Sequence, residues 1–313
     1  MMGLWRRYEG PTWLVAFAIY GGWVAVAVAH RTLVPCVALP IAIYVTAWHS
    51  SLQHETIHAL RRVPRWLRTG LALPPLGIWF PYELYRREHV RHHATRDLTG
   101  PDDPERFYVE PDEWSAMPGI LRQIYRVNQT LAGRLIVGPA LLLCRTYAGE
   151  LGRVRAGDRR NVWLWIRHGT AVAVILWGLD VLAGIDPLTY VALVAYPAAA
   201  LGLVRSFAEH RAAGDPADRT VTVVSRGALS LLFLNNNFHA AHHAMPDLPW
   251  YQLPASWRSG VTRSAAAYAG YRSIARAWLV RPIDSPVRPA AHGVAQVPVH
   301  RASVPLPIRR GAA

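Results

Sequence analysis

Histidines at a recurring spacing are the residues of this 313-residue chain most able to do chemistry. Two HxxHH patterns and one HxxxH pattern contain eight of them: His54, His58, His89, His92, His93, His239, His242 and His243. On a helix, HxxHH places its three imidazoles on one face, within about 5–6 Å of each other. With 14 histidines in the chain, chance would give about 0.03 copies of HxxHH. Several imidazoles on one face suit a metal ion better than they suit packing.

The composition is typical of a membrane protein. The chain is 52% hydrophobic and 17% charged, with 13 Trp and 13 Tyr. Its 34 basic residues are all arginines, and they cluster beside apolar stretches instead of forming one basic face. They are therefore interpreted as membrane-flanking anchors, which argues against nucleic-acid binding. Cys36 and Cys144 lie in separate apolar segments and have neither disulfide nor metal-site spacing.

Four apolar stretches are long enough, or nearly so, to cross a hydrocarbon core. They cover residues 12–29, 32–48, 162–183 and 187–207. Because only short turns separate the first from the second and the third from the fourth, the sequence predicts two helical hairpins. Two further apolar stretches, 70–81 and 131–143, are too short to span and are predicted to be interfacial or re-entrant.

The arginines also predict an orientation. They flank the spans on one side, which the positive-inside rule makes cytoplasmic, and the histidine patterns fall on that side, beyond the ends of spans two and four. The predicted fold is an all-α integral membrane protein: four transmembrane helices in two hairpins, with a cytosolic helical cap that carries a histidine-rich di-metal site. Residues 1–284 form this domain. Residues 285–313 are rich in Pro, Val, Ala and Arg without helical periodicity, and are predicted to be a disordered or surface-lying tail.

The order, spacing and topology of the three histidine patterns resemble those of the membrane fatty acid desaturase superfamily over most of residues 10–260. The resemblance implies that the eight histidines hold two irons at the cytosolic ends of a four-helix membrane domain. It also implies a ninth ligand, His210, because Glu209-His210 matches a Glu-His pair found before the last box of alkane hydroxylases. The second box here has two residues between its first two histidines, as in desaturases. Alkane hydroxylases carry one more, so this spacing favours the desaturase branch.

The function implied by this resemblance is an O₂-dependent di-iron oxidation of a lipid acyl chain in a bacterial cytoplasmic membrane, with the active site on the cytoplasmic side. Desaturation is the leading reaction. Hydroxylation of an acyl or hydrocarbon chain, carotenoid oxygenation and fatty acid decarboxylation are alternatives on the same scaffold. The cofactors would be two iron ions, with O₂ as co-substrate. Because the chain has no CxxC pair and no fused cytochrome b5 or rubredoxin segment, the electron donor is predicted to be a separate ferredoxin with its reductase.

Two rival interpretations are weaker. A structural zinc site uses four protein ligands and a catalytic one usually uses three. Eight or nine histidines instead indicate two metals with open positions, which favours iron. A non-catalytic metal-binding or transport protein would need ligands inside the spans. Only His168 lies within one, apart from the patterns at their ends.

Polar residues near the ligands are expected to orient the imidazoles. Glu55, Glu88 and Glu209 adjoin predicted ligands, and a further four carboxylates follow the second box: Asp97, Asp102, Asp103 and Glu105. Asn237 or a neighbour is a candidate to hold a water near the metal. His49 is placed roughly 140° around the helix from His54 and is predicted to face elsewhere.

Overall fold

The computed structural model describes residues 5, 7–215, 218–260 and 267–289. Helices dominate this part of the chain, which confirms the predicted all-α class. The helices are α1 (Gly10–Ala29), α2 (Pro35–His58), α3 (Arg65–Gly70), α4 (Tyr82–Ala94), α5 (Pro111–Ala116), α6 (Gly119–Asn128), α7 (Leu131–Ile136), α8 (Gly138–Arg155), α9 (Arg159–Ala183), α10 (Pro187–Glu209), α11 (Ala228–Leu232), α12 (His239–Ala244), α13 (Leu253–Arg258) and α14 (Tyr271–Trp278). Two short strands, β1 (Thr222–Val223) and β2 (Ala267–Tyr268), pair in parallel.

Four of the helices, α1, α2, α9 and α10, are long and apolar enough to cross a membrane, as the sequence predicts. A π-helical turn ends α9 at Leu179–Ala183, and another interrupts α10 at Val191–Ala195. The exposed side chains of these helices include large apolar ones such as Phe17, Trp177 and Leu182. Outward-facing apolar side chains of this kind suit a lipid environment.

The second spanning helix is longer than the sequence predicts. Its apolar stretch ends at residue 48, yet α2 continues through His58. Residues 49–58 contain no Pro or Gly, and most polar side chains of this segment, including His54 and Glu55, are buried. The helix continues because neighbouring elements bury its polar face. The first histidine pattern therefore lies in the last turns of the helix that carries the second span, after its apolar stretch.

The spanning helices pack around a central hydrophobic core. Helix α1 lies along α2, and α10 packs against α2, α7 and α8. Ile19, Leu52 and Phe207 are almost fully buried in this core. Trp23 of α1 donates to the hydroxyl of Tyr190 in α10, which joins the two pairs of spans by a hydrogen bond.

The two shorter apolar stretches have different structures. Residues 71–81, after α3, form turns that are held to the spanning helices, because Tyr20 donates to the Leu71 carbonyl and Gln53 to the Ala72 carbonyl. The stretch at 131–143 belongs to two helices, α7 and α8, and the Thr130 hydroxyl caps α7 by accepting from Gly133 N.

The end of the described chain lies against the loop that follows the second histidine pattern. Val109 N donates to the Pro286 carbonyl, and Arg288 N donates to the Val109 carbonyl. The Arg288 side chain also binds Asp97. Residues 290–313 of the predicted tail lie outside the described residues, so the domain boundary at 284 stays a prediction.

Candidate metal centre

The structure brings all nine predicted histidines together, in two groups. In each group the ring nitrogens lie within 4.8 Å of one another, close enough to hold one metal ion. The five-histidine group consists of His54, His58, His89, His93 and His242. The four-histidine group consists of His92, His210, His239 and His243.

Three helices and one helix end supply these side chains. The last turns of α2 carry His54 and His58, and His210 directly follows α10. Both HxxHH patterns are divided between the groups. Helix α4 gives His92 to the four-histidine group and its other two histidines to the five-histidine group, whereas α12 gives only His242 to the latter. Each HxxHH pattern therefore contributes to both groups from one helical face.

The nitrogens of the five-histidine group converge at hydrogen-bonding distances. The Nε2 atom of His89 lies 2.9 Å from that of His58 and 3.1 Å from that of His93. The Nε2 atom of His93 lies 3.0 Å from that of His242. The ring of His54 lies with its centroid 4.5 Å from that of His89 and 4.6 Å from that of His242.

The four-histidine group has similar distances. The Nε2 atom of His239 lies 2.8 Å from that of His210 and 3.1 Å from that of His243. The Nε2 atoms of His92 and His243 are 3.3 Å apart. His93 of the other group stacks on His243, with ring centroids 4.4 Å apart and an interplanar angle of 21°. The two groups are therefore direct neighbours.

Acidic and amide side chains hold the outward-facing nitrogens of three histidines. His89 Nδ1 donates to Glu105 at 2.7 Å, and His92 Nδ1 donates to Asp103 at 2.7 Å. His239 Nδ1 lies 3.3 Å from a Glu209 carboxylate oxygen and 3.2 Å from Asn236 Oδ1. A neutral imidazole carries one N–H, so these contacts leave an Nε2 lone pair on each ring.

The directions of these lone pairs indicate whether the histidines are suited to bind a metal ion. His89 Nε2, a bare acceptor, faces two further imidazole nitrogens within 3.1 Å. His239 Nε2 likewise lies within 3.1 Å of the Nε2 atoms of His210 and His243. One imidazole N–H satisfies one acceptor, whereas a cation satisfies several lone pairs that converge on one point. The donor set therefore fits one metal ion in each group.

Burial keeps most of the histidines neutral, as metal ligands must be. It lowers the pKa of His93 to about 2 and that of His210 to about 3. Burial also lowers the pKa of His239, His242 and His243. In His92, burial opposes protonation, but Glu105 and Asp103 outweigh it and raise the pKa.

Three of the carboxylates expected near the ligands bind elsewhere. Glu55 accepts from the Trp250 amide, Glu88 pairs with Arg87, and Asp97 accepts from arginines at 219 and 288. Asp102 is exposed. The expectation that these residues orient imidazoles is wrong, because adjacency in sequence does not fix where a helical side chain points.

Of the asparagines before the third pattern, the neighbour Asn236, and not Asn237 itself, lies near the ligands. Asn237 donates to the Val223 carbonyl, whereas Asn236 contacts His239 and lies 3.5 Å from His54. Leu234 and Asn235 adopt left-handed backbone conformations, with φ of 47° and 53°. Left-handed conformations in residues that are not glycine are often found at functional sites, and these two directly precede Asn236.

Histidines outside the two groups have other partners. His49 is buried with its Nε2 atom 3.0 Å from the Tyr20 hydroxyl, as expected for a side chain that faces away from His54. His168 contacts the Ile78 carbonyl and His30 the Ala27 carbonyl. Arg205, whose guanidinium binds Glu209, is not among the site residues predicted from the sequence. A charge inside an apolar span, four residues before a Glu-His pair, is the signal that could have identified it.

Comparison with known families agrees with this site. The family model described as fatty acid desaturase matches residues 31–275, which include all nine histidines. No curated protein matches the chain. The chain belongs to the fatty acid desaturase family. It is therefore a membrane protein and a lipid-modifying oxidoreductase of the desaturase or hydroxylase type, with histidine clusters that could hold metal ions.

Proposed function

We propose that this desaturase family member is an O₂-dependent di-iron oxidase that desaturates a lipid acyl chain, with its nine histidines as the iron ligands. One observation carries the proposal: nine imidazoles from four chain segments converge in two adjacent groups, with three of their outward-facing nitrogens held by acidic or amide side chains. Nine nitrogen ligands exceed what one zinc site uses, and two irons with open positions match them better.

When bound, the two irons supply the activation of O₂ and the removal of hydrogen from an unactivated methylene, which no side chain can do. The protein contributes geometry. Asp103, Glu105 and Glu209 hold the imidazole rings in place and fix which nitrogen carries the proton. Burial of the rings limits the access of water to the site.

The overall reaction defines the electron requirement. Desaturation removes two hydrogens from the acyl chain and reduces O₂ to two waters, which takes two electrons and two protons from outside. We propose that a separate ferredoxin and its reductase supply the electrons, because the chain has no CxxC pair of its own. Purified enzyme should then turn over faster with such a carrier than with dithionite and O₂ alone, and the reverse result would remove the support for a carrier.

We place the active site on the cytoplasmic side of a bacterial membrane. The proposal rests on the distribution of positive charge. Arginines cluster just after the C-terminal ends of the helices that carry the histidines, as at residues 61, 62, 65 and 68 after α2. A lipid chain could then enter from the bilayer while the electron donor binds from the cytoplasm.

Hydroxylation is the second candidate, because it shares its first hydrogen abstraction with desaturation. Metal transport is a candidate from a different class. Transport predicts that His168→Ala abolishes function while ligand variants only weaken it. Oxidation predicts the reverse, in agreement with the contact of His168 to a backbone carbonyl.

Mass spectrometry of total lipids tests the proposal. Cells that express the wild type, a His92→Ala/His93→Ala variant or the control His168→Ala are compared. An acyl species lacking two hydrogens, present with the wild type and the control but absent with the double variant, supports desaturation. A species heavier by one oxygen indicates hydroxylation. If neither forms and the purified protein binds no iron, the oxidase proposal is wrong.

A further inference from the structure

A buried arginine shares a carboxylate with one of the histidine ligands. Arg205 lies on α10 one turn before Glu209, and its side chain is 15% exposed. Its Nε atom donates to Glu209 Oε2 at 3.1 Å. The same oxygen lies 3.3 Å from His239 Nδ1. One oxygen atom thus joins Arg205 to the four-histidine group.

Arg205 also connects to the five-histidine group. Its side chain lies next to that of Tyr85. Tyr85 is one turn before His89 on α4, and the Tyr85 and His89 rings are 5.6 Å apart. The Arg205 side chain lines one small cavity with His210 and His239 of the four-histidine group and with Glu105, the carboxylate that binds His89 of the five-histidine group.

A buried positive charge beside two metal sites opposes metal binding, since like charges repel more strongly where water is excluded. Asp103, Glu105 and Glu209 place three carboxylates next to the ligands. Arg205 offsets one of them. A fixed cation near a metal favours the reduced, less positive state of that metal. The Arg205 charge should therefore affect the reduction potential of the bound metals, in addition to neutralising Glu209.

We propose that Arg205 is a positioning residue for both histidine groups: it holds Glu209 against His239 and supplies one fixed positive charge that raises the reduction potential of the bound metals. This inference rests on the proposed function, because it requires metals that change oxidation state. The effect would make the site easier to reduce by its electron donor before O₂ reacts.

Arg134 provides a matched control. It is 2% exposed and lies on α7, and it lines the same small polar cavity against His210 and His239 as Arg205 does. Its guanidinium lies 3.9 Å from the Phe107 ring centroid and donates to the Asn128 carbonyl and the Ser206 hydroxyl. Arg134→Met therefore removes a buried cation without removing a partner of Glu209.

The experiment is a potentiometric titration of the full-length, iron-loaded protein in detergent, with the iron content of each variant measured in parallel. The variants are Arg205→Met, Arg205→Lys and Arg134→Met. We expect Arg205→Met to lower the midpoint potential and Arg205→Lys to keep it near the wild-type value, because lysine retains the charge. Arg134→Met should shift the midpoint by less than half as much as Arg205→Met.

An unchanged midpoint in Arg205→Met, or an equal shift in Arg205→Lys, overturns the inference. If Arg205→Met does not retain iron, Glu209→Gln gives a second test. Removing the carboxylate leaves the Arg205 charge unopposed, so the midpoint should rise, and a fall or no change overturns the inference. Wild-type protein that binds no redox-active metal would instead contradict the proposed function itself.

Discussion

The five-histidine and four-histidine groups share helices α4 and α12 but are supported differently. In the five-histidine group, two ligands lie one turn apart on the long helix α2, and one carboxylate, Glu105, binds a ring nitrogen. In the four-histidine group, His92 binds Asp103, His239 contacts both Glu209 and Asn236, and His210 lies 3.3 Å from the Arg219 carbonyl.

This difference shows two ways to place a ligand. A long packed helix fixes side chains through its backbone geometry. A ligand outside a helix, such as His210, depends on polar contacts from residues far away in the sequence. The four-histidine group should therefore respond more strongly to changes in its polar surroundings, and the five-histidine group mainly to changes in its ligands.

Removal of ligand pairs has the largest expected effect. His54→Ala/His58→Ala should empty only the five-histidine group, and His239→Ala/His243→Ala only the four-histidine group. Each double variant should lose oxidation entirely yet keep one iron per chain, because the remaining group retains its own ligands. Metal analysis by mass spectrometry measures this. Loss of both irons from either variant would mean that the groups do not bind independently.

Removal of a supporting carboxylate should have the next largest effect. Asp103→Asn removes the negative charge beside His92 and replaces one of the two oxygens that accept from His92 and from the Thr99 and Glu105 amides. We expect iron affinity in the four-histidine group to fall about 10–100-fold. Glu105→Gln is the matched change for the other group and should have a smaller effect, because α2 still holds two ligands. Competition with a chelator measures both affinities, and a larger loss in Glu105→Gln would reverse the comparison.

A third variant tests whether a contact beside the ligand His210, made by a residue far away in the sequence, supports the four-histidine group. Asp284 accepts two hydrogen bonds from Arg211, the residue after His210, and one from Tyr108. Asp284→Asn should destabilise the fold by about 1.5–3 kcal/mol, the value of hydrogen bonds to charged groups. It should also weaken iron binding in the four-histidine group, though less than Asp103→Asn does.

Thermal unfolding in detergent measures the stability change of Asp284→Asn. Asp247→Asn is the control, since its ion pair with Arg61 is exposed and worth less than about 1 kcal/mol. Equal stability losses in the two variants would show that the contact between Arg211 and Asp284 does not support the site.

His49→Phe should have the smallest effect. The side chain is buried and contacts the Tyr20 hydroxyl, outside both groups. Loss of that hydrogen bond should cost about 1 kcal/mol of stability, while the iron content stays at the wild-type value. A loss of iron would assign His49 a role in the metal site that its position does not indicate.

The sequence predicted the parts of this molecule that depend on local pattern. Apolar length identified the four spans, and residue spacing identified His89, His92 and His93 as one face of a helix that the structure contains. It did not predict the division of each HxxHH pattern between two groups, because that depends on how α4 and α12 face each other.

The support of the site was harder to predict than its candidate ligands. Glu105 and Asp103 contact histidines, while Glu88, directly beside His89 in the chain, pairs with arginines instead. Neighbouring residues on a helix point in different directions, so adjacency misleads. The contact of Asp284 with Arg211 joins segments 73 residues apart, and no local pattern could reveal it.

The most direct test of this account is anomalous X-ray diffraction at the iron edge from crystals of the full-length, iron-loaded protein. The account predicts two iron peaks per chain, one among His54, His58, His89, His93 and His242, and one among His92, His210, His239 and His243. A single peak shared by both groups, or iron bound outside them, would contradict it.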